Sequence, residues 1–430
     1  MTYRHSGLVF TEHTLAVPVD HHDPGGPQIE VFAREVSAAD RADAADRATG
    51  RAGDAGDLPF LLYLEGGPGR RGPRHLPPWL WRAVQRYRVV LMDQRGTGRS
   101  TPATRQTLAR HRDPAAYLLN FRADSIVRDA EMLREHLAGN RPWSVLGQSF
   151  GGFCAVTYLS YAPESLREVM IAGGLPPLNG SPEEVYRAAY PRVLAANERY
   201  FDRYPDDQKI ADRIVEILDE EKVILPGGDR LSPRRFQMLG LGLGSRNGFD
   251  GLHHLLEEAF VDVGGDRRLS EVFLRRVDNT LTFAEHPLYA LMHEPIYCQG
   301  AAPAWAAHRA RAGFPQFDLS GGGPTRFTGE MIFPWLFDED PALAPLVVCA
   351  EQIAARTGWP RLYDPDRLAA NTVPVSAAIY YDDMYVDRET SLATAAAIRG
   401  LRPWITNEFG HDGLGQDAAV FDRLVTLVGE

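Results

Sequence analysis

Short apolar runs that end at turn residues alternate with helical spacing in the first part of the chain. The runs cover residues 60–64, 88–92, 143–146 and 168–172. Runs that are apolar at every position are typical of strands buried on both faces of a parallel sheet. Between the second and third runs, apolar residues recur every three or four positions over residues 125–137, which predicts a helix. This alternation predicts βαβ units in a doubly wound, mostly parallel sheet.

The middle of the chain has a different pattern. From about residue 178 to about 370, helical spacing dominates and strand-like runs are few, as in residues 183–199, 209–221 and 251–260. The alternation then returns, with predicted strands at 373–381 and 402–406 and helices at 390–399 and 418–427. We therefore expect an α/β core formed by residues 1–177 and 371–430, with a mostly helical cap, residues 178–370, inserted between them.

The N-terminal segment is predicted to contain two strands and a loop. Residues 8–21 and 29–36 have strand-like patterns on either side of the turn sequence HHDPGGP. Residues 38–57 consist largely of Ala, Asp, Arg and Gly, and they offer almost nothing to bury. They predict an elongated surface loop.

Composition narrows the classes of function. The 430 residues include 46 Lys and Arg against 57 Asp and Glu, a formal net charge of −11. An acidic chain does not favour nucleic acid or an anionic membrane as partner, and no run approaches the ~18 apolar residues of a membrane span. The start does not resemble a signal peptide, and three widely separated cysteines exclude a disulfide framework. We expect a soluble, cytoplasmic protein.

Ser149 lies in the sequence GQSFGG, which matches the pattern G-x-S-x-G between a predicted strand and a predicted helix. Small residues two positions before and after the serine let the backbone turn sharply without clashes. Such a turn lifts the hydroxyl above the edge of the sheet. Because the expected strand and helix flank the motif, we interpret Ser149 as a catalytic nucleophile rather than as a chance match on a surface turn.

A serine nucleophile needs an acid and a base, and in this architecture both follow it in the chain. His411 is the only histidine in the C-terminal core segment, and it follows a predicted strand. For its acid partner, expected after the preceding strand, we prefer Asp383, then Asp382, with Asp387 as a third candidate. A buried carboxylate there fixes the tautomer of the imidazole and stabilises the imidazolium.

The sequence EGGPG at residues 65–69 follows the first core strand. Its glycines let the backbone approach a substrate, and we expect the N–H groups of Gly67 and Phe150 to form an oxyanion hole; the alternative is a purely structural turn. No motif indicates a cofactor or a metal, because the chain has no P-loop and the pair His293-Glu294 does not begin an HExxH motif.

Three strings in this order, YLEGGPG, VVLMDQRGTGRS and LGQSFGG, resemble the proline iminopeptidases of the α/β-hydrolase fold. The resemblance covers nearly the whole chain. It implies a serine peptidase without a metal or other cofactor, which removes proline from the free N-terminus of small peptides. It also implies that Ser149, Asp383 and His411 form the catalytic triad and that Gly67 and Phe150 supply the oxyanion hole. One departure is that Glu65 occupies a position where many relatives of this fold have histidine.

The family also has cap glutamates that bind the amino group of the substrate, and Glu294 and Glu330 resemble them. A buried carboxylate distinguishes a cationic amine from an amide, because leaving it unpaired in a dry pocket is costly. Glu294→Gln is accordingly expected to raise KM for an N-terminal-proline substrate. We expect Tyr297, Phe333 and Trp335 to form walls for a pyrrolidine ring. The alternative is that both glutamates are ordinary surface or structural acids.

Two other functions stay open at this point. The first is an esterase or amidase of the same fold with a different pocket, which would not need a free amine in its substrate. The second is a catalytically inactive hydrolase that acts as a binding protein. Candidates for all three triad members are present, which favours an enzyme.

Overall fold

The computed structural model describes residues 1–41 and 58–429, and within them nine of eleven strands form one sheet. The strands are β1 (Thr2–His5), β2 (Leu8–Pro18), β3 (Gln28–Ala38), β4 (Phe60–Leu64), β5 (Arg88–Asp93), β6 (Trp143–Gln148), β7 (Leu166–Ala172), β8 (Phe260–Val263), β9 (Asp266–Leu269), β10 (Val375–Tyr380) and β11 (Leu401–Thr406). The order across the large sheet is β1-β2-β3-β5-β4-β6-β7-β10-β11. Its first three pairs are antiparallel and the other five are parallel. The mostly parallel sheet expected from the sequence is confirmed.

Helices follow most strands of the core and fill the segment between β7 and β10. They are α1 (Pro78–Ala83), α2 (Arg105–Leu108), α3 (Pro114–Leu118), α4 (Ala123–Ala138), α5 (Phe150–Tyr161), α6 (Pro182–Arg203), α7 (Pro205–Glu220), α8 (Pro233–Gln237), α9 (Gly248–Glu257), α10 (Glu271–Leu281), α11 (Pro287–Met292), α12 (Ala306–Arg311), α13 (Leu336–Glu339), α14 (Val347–Ala355), α15 (Pro365–Ala369), α16 (Arg388–Ala397), α17 (Gly413–Gln416) and α18 (Ala418–Gly429). None of the helices in the described ranges combines the length and the apolarity that crossing a membrane requires.

Alternate residues of the central strands face two separate helical layers. In β4, Leu61 and Tyr63 belong to one hydrophobic cluster, together with residues of α1 and α18. Phe60, Leu62 and Leu64 belong to the other, together with residues of α4 and α5. Because helices cover both faces, every position of β4 is buried, which explains its unbroken apolar run. The fold is a doubly wound α/β sheet.

The segment between β7 and β10 contributes no strand to the large sheet among the described residues. It is mostly helical, as expected, but it also contains the hairpin of β8 and β9. Six of the eight residues in these two strands are exposed, the two at the outer ends of the hairpin are partly buried, and none is fully buried. The hairpin therefore has no alternation of buried and exposed positions, which is the pattern by which a sequence identifies a strand.

The predicted core elements agree with the structure, with small differences at their ends. The strand predicted over 60–64 has those bounds as β4, and the helix predicted over 125–137 begins at Ala123 and ends at Ala138 as α4. β1 was not predicted, because all four of its residues are exposed. The surface loop predicted over 38–57 stays a prediction, because residues 42–57 lie outside the described residues.

Candidate active site

Ser149 lies at a sharp turn between the end of β6 and the start of α5. Its φ is +53°, a conformation that is strained for a residue with a side chain. The turn is held by a hydrogen bond from the Ser149 N–H to the carbonyl oxygen of Ala172 in β7, 3.0 Å. A Cβ on Gly147 would overlap the backbone of Gly151, and a Cβ on Gly151 would overlap the carbonyl of Leu64. The glycines of G-x-S-x-G are therefore sterically required.

His411 and Asp383 are in direct contact, although 28 positions separate them in the chain. His411 Nδ1 and Asp383 Oδ2 are 2.7 Å apart, and the Asp383 side chain is 2% exposed. The other carboxylate oxygen, Oδ1, accepts the backbone N–H groups of Tyr385 and Val386 at 2.9 and 3.1 Å. These bonds fix the carboxylate, and the contact leaves Nε2 as the free nitrogen of the imidazole.

The structure does not bring the other two candidate acids to His411. Asp382 points away, where its side chain is 56% exposed and its Oδ1 lies 3.6 Å from Arg199. Asp387 caps the N-terminus of α16 by accepting the Thr390 N–H, and it pairs with Arg192. Of the three carboxylates considered, Asp383 alone has the geometry of a partner for His411.

The surroundings of His411 change its proton affinity. Burial alone lowers the pKa of the imidazole, but the charge of Asp383 and the hydrogen bond to it raise that pKa, and Glu330 and Asp412 add to the rise. The net result is a pKa above the ordinary value of histidine. The protonated form that a general base reaches during a reaction is therefore stabilised in this site.

Ser149 and His411 face the same cavity, which has a volume of about 760 Å³. The Gln148 side chain, adjacent to Ser149, donates a hydrogen bond to the carbonyl oxygen of His411, 2.9 Å. The His411 N–H in turn donates to the carbonyl of Gly244, 3.1 Å, in the helical segment. The loop that carries His411 is thus hydrogen-bonded both to Gln148, next to Ser149, and to the helical segment.

Residues from both the core and the helical segment line this cavity. They include Tyr63, Glu65, Gly66, Gly67, Arg70, Trp79, Gln148, Ser149, Leu241, Phe283, His286, Tyr289, Glu330, Tyr385 and His411. Of the five substrate-binding residues predicted from the sequence, Glu330 alone is among the described residues that line it. The cavity wall combines apolar side chains with several charged ones, among them Glu65, Arg70 and Glu330.

The glycine loop after β4 packs directly against the nucleophile. A Cβ on Gly66 would lie 3.1 Å from the Ser149 Cβ, so only glycine allows this approach without displacement. Within the described residues, neither the Gly67 nor the Phe150 N–H has a hydrogen-bond acceptor. Glu65 braces the loop, because its Oε1 accepts the Gly66 N–H at 2.9 Å. Burial raises the pKa of the Glu65 carboxyl, and Arg70 opposes that rise.

Glu330 is oriented by aromatic neighbours on α11 and beside it. The Tyr289 hydroxyl donates a hydrogen bond to its Oε1, and His293 Nε2 lies 4.0 Å from its Oε2. Burial raises the pKa of Tyr289, so the hydroxyl keeps its proton for that hydrogen bond. Burial also lowers the pKa of His293. The Glu330 side chain is 18% exposed, so it stays accessible from the cavity.

Glu294 lies elsewhere, at the N-terminus of α12. Its two carboxylate oxygens accept the N–H groups of Ala306 and Ala307 at 3.0 and 2.9 Å. Burial raises the pKa of Glu294 to about 7, although these hydrogen bonds oppose the rise. The Glu294 carboxylate therefore accepts hydrogen bonds from N–H groups at the start of the helix, which would otherwise lack an acceptor. Glu294 is not among the described residues that line the cavity, and its role in binding an amine stays a prediction.

The three aromatic residues predicted as pocket walls are buried in the helical segment. Tyr297 packs against Phe153, with ring centroids 5.7 Å apart, and Phe333 stacks on Trp335 at 5.3 Å. The aromatic residues that do line the cavity include Tyr289 and Tyr385. Sequence reasoning missed both. The available signal was their proximity in the chain to predicted site residues, since Tyr289 lies five positions before Glu294 and Tyr385 two after Asp383.

One group of side chains has the spacing of metal ligands. Atoms of His253, His254 and Glu257, on α9, lie within 4.8 Å of one another. His254 Nδ1 already contacts Glu257 at 2.8 Å, and His253 Nδ1 contacts Asp207 at 3.0 Å. These residues do not belong to the cavity of Ser149.

Comparison with known proteins places this geometry in a family. Residues 59–240 match the family model of the α/β-hydrolase fold. The chain is 45% identical over 428 residues to a proline iminopeptidase of Aeromonas sobria, a match that covers 98% of this chain and 97% of that one. The chain belongs to the proline iminopeptidase family. A second member, from Aspergillus aculeatus, is 36% identical over 95% of this chain and 91% of its own length. The protein is thus an enzyme of the α/β-hydrolase fold.

Proposed function

We propose that this member of the proline iminopeptidase family is a serine aminopeptidase that releases proline from the free N-terminus of small peptides. The two full-length relatives described above are named for that activity. The observation that carries the proposal is the 2.7 Å contact between Asp383 and His411, in a cavity shared with Ser149 and Glu330. This combination supplies a nucleophile, a base and a carboxylate for an amine in one place.

Ser149 is the nucleophile in this proposal. His411, held by Asp383 through Nδ1, takes the hydroxyl proton on Nε2 while the serine oxygen attacks the carbonyl carbon of the prolyl residue. The resulting imidazolium gives the proton to the leaving amine, so that the peptide bond breaks and a prolyl ester of Ser149 remains. Water then attacks this ester by the same proton path in reverse, which releases proline and restores the serine.

The Gly67 and Phe150 N–H groups hold the oxyanion that forms during each attack. Neither N–H has an acceptor among residues 1–41 and 58–429, which supports this role, because an N–H group without an acceptor in the resting enzyme is available to the transition state. Where measured in other enzymes, one such donor lowers the barrier by about 3–4 kcal/mol.

Glu330 recognises the substrate's amino group. An N-terminal prolyl residue carries a cationic secondary amine, and a carboxylate inside the cavity pairs with it. The Tyr289 hydroxyl and the position of His293 support an oriented carboxylate here. An acylated N-terminus is uncharged. A substrate that carries one therefore leaves the Glu330 carboxylate without a cationic partner when it binds.

The same cavity supports a proposal for the domain arrangement. We infer that residues 178–370 act as a cap over a core made of residues 1–177 and 371–430. The support is that the cavity wall takes Ser149 and His411 from the core and Glu330, Tyr289 and Leu241 from the helical segment. We also infer a cytoplasmic location, for which the support is that Cys154, Cys298 and Cys349 are all buried free thiols.

The test is a pair of chromogenic amides, one of free proline and one of N-acetylproline. We expect the wild-type enzyme to hydrolyse the first and to leave the second almost untouched. In Glu330→Gln, kcat/KM for the first should fall by about ten- to a hundredfold, the usual effect of losing one charge-assisted bond. Hydrolysis of both amides at similar rates would replace the proposal with an amidase of the same fold.

Glu294→Gln supplies the comparison between the two carboxylates that the sequence proposed. Because Glu294 caps α12, we expect this variant to lower the melting temperature and to keep the discrimination between free and acetylated proline. A loss of that discrimination at unchanged stability would instead assign the amine to Glu294.

A further inference from the structure

One wall of the cavity carries cationic side chains that the proposed mechanism does not use. Arg70, Arg71 and Arg74 lie in the loop that follows Gly67 and line the same cavity as Ser149. Arg74 is paired with Asp93 and donates to the carbonyl of Gly72. Neither Arg70 nor Arg71 forms a hydrogen bond or an ion pair with any of the described residues. Two guanidinium groups at this wall are therefore free to bind a ligand.

Of these two arginines, Arg70 has a charge that acts on residues beside Glu330 and His411. The loop that carries it starts against Ser149 at Gly66 and then packs on α11, where a Cβ on Gly69 would lie 2.9 Å from the Tyr289 nitrogen. Burial raises the pKa of Tyr289 and of Tyr385, and the charge of Arg70 opposes the rise in both. Arg70 is thus within electrostatic range of the residues that surround Glu330 and His411.

The neighbouring carboxylate of Glu65 does not neutralise Arg70 by an ion pair. Its Oε1 is taken by the Gly66 N–H, and no Glu65 oxygen lies within ion-pair distance of an arginine of the described residues. The carboxylate of Glu330 and the free guanidinium of Arg70 therefore line the same cavity as the nucleophile, Ser149.

We propose that Arg70 binds a carboxylate on the residue that follows the N-terminal proline, so that the enzyme prefers dipeptides with a free C-terminus. This inference rests on the proposed function. A dipeptide is a zwitterion: its scissile carbonyl belongs to the residue that carries the amine, and the carboxylate is on the next residue. Pairing the amine with Glu330 and the carboxylate with the guanidinium orients the scissile bond at both ends, and the planar guanidinium matches a carboxylate with two parallel hydrogen bonds.

The carboxylate of the leaving residue has two possible sources, its C-terminus or an acidic side chain. Four substrates separate them: Pro-Gly, its C-terminal amide, and the C-terminal amides of Pro-Glu and Pro-Gln. We expect the wild-type kcat/KM for Pro-Gly to exceed that for its amide by about ten- to a hundredfold. If the acidic side chain is the source, the preference appears instead between the amides of Pro-Glu and Pro-Gln.

Arg70→Gln is the decisive variant, and its readout is the ratio of kcat/KM between Pro-Gly and its amide. The inference predicts that the ratio collapses towards equality in Arg70→Gln and is retained in Arg86→Gln, a change at an exposed arginine outside the cavity. Melting temperatures of both variants verify that they fold. A ratio that survives in Arg70→Gln overturns the inference.

The wild-type enzyme separates this inference from the function on which it rests. If it hydrolyses a prolyl chromogenic amide but shows no preference within either pair, Pro-Gly and its amide or the amides of Pro-Glu and Pro-Gln, then the role of Arg70 is wrong and the aminopeptidase activity stands. If it does not hydrolyse the prolyl amide, then the proposed function itself is wrong.

Discussion

The imidazole of His411 has one nitrogen committed to Asp383, and this contact decides when the other nitrogen can act as a base. A general base must be neutral before it takes a proton. Asp383, Glu330 and Asp412 raise the pKa of His411 against the opposite effect of burial. Because the neutral form exists above that pKa, kcat/KM should rise with pH through a value higher than that of an ordinary histidine.

Asp383→Asn tests this argument at the scale of one residue. Losing the carboxylate removes the largest influence that raises the pKa of His411, so the acid limb of the pH profile should move to lower pH. The rate at the plateau should fall by about 10³- to 10⁴-fold, because asparagine does not hold the required tautomer. Asp382→Asn is the matched control, since Asp382 is exposed and contacts Arg199 instead. A control that is equally impaired would contradict the assignment of Asp383.

Among the helices and strands, the sequence predicts those whose burial produces a recognisable hydrophobic pattern. β4 is buried at every position and was predicted with its bounds, whereas the exposed strands β1, β8 and β9 left no pattern to find. Local features of the sequence, a turn motif and the one histidine of the C-terminal core segment, also indicated Ser149 and His411, which line the same cavity.

Features that depend on distant contacts were not predictable in this way. Glu294 and Glu330 received the same prediction from the sequence. In the structure, however, Glu294 caps α12 and Glu330 lines the cavity. Tyr289 and Arg70 gain their positions from the packing of the glycine loop on α11. Only the tertiary structure, which brings these elements together, distinguishes such residues from ordinary buried or exposed ones.

Glycine-to-alanine changes in two helices test the steric account of the turn at Ser149. In Gly151→Ala the new Cβ would overlap the Leu64 carbonyl, so we expect a loss of about 1–3 kcal/mol of stability and a large loss of activity. Gly251, in α9, has open space at its Cβ position, and Gly251→Ala should raise helix stability by up to about 1 kcal/mol. Chemical denaturation measures both. A well-tolerated Gly151→Ala would disprove the steric requirement.

At the scale of the whole molecule, the helical segment does more than supply residues to the cavity wall. It holds the loop of His411, since Gly244 accepts the His411 N–H and the Asp412 carboxylate accepts the Arg246 N–H at 2.9 Å. Tyr385 joins the two parts. Its ring packs edge-on against His411 at 4.8 Å, and its hydroxyl donates to Leu241 and accepts the Gly244 N–H.

Tyr385→Phe tests this coupling. The variant keeps the ring against His411 but loses both hydrogen bonds to the helical segment, so we expect kcat to fall by about three- to tenfold, the effect of one or two ordinary hydrogen bonds. Because Tyr385 acts by positioning His411, labelling of Ser149 by a fluorophosphonate should slow in proportion. Unchanged labelling alongside a lower kcat would show that the hydroxyl acts on the substrate instead.

The most direct test of the account is the identity of the residue that becomes acylated during turnover. An activated prolyl ester makes the acyl-enzyme form faster than it is hydrolysed, so quenching in acid should trap it for mass spectrometry of peptides. We predict one prolyl group on the peptide that contains Ser149, and neither an adduct nor turnover in Ser149→Ala. Continued turnover in that variant, or a prolyl group on a different residue, would contradict the central claim.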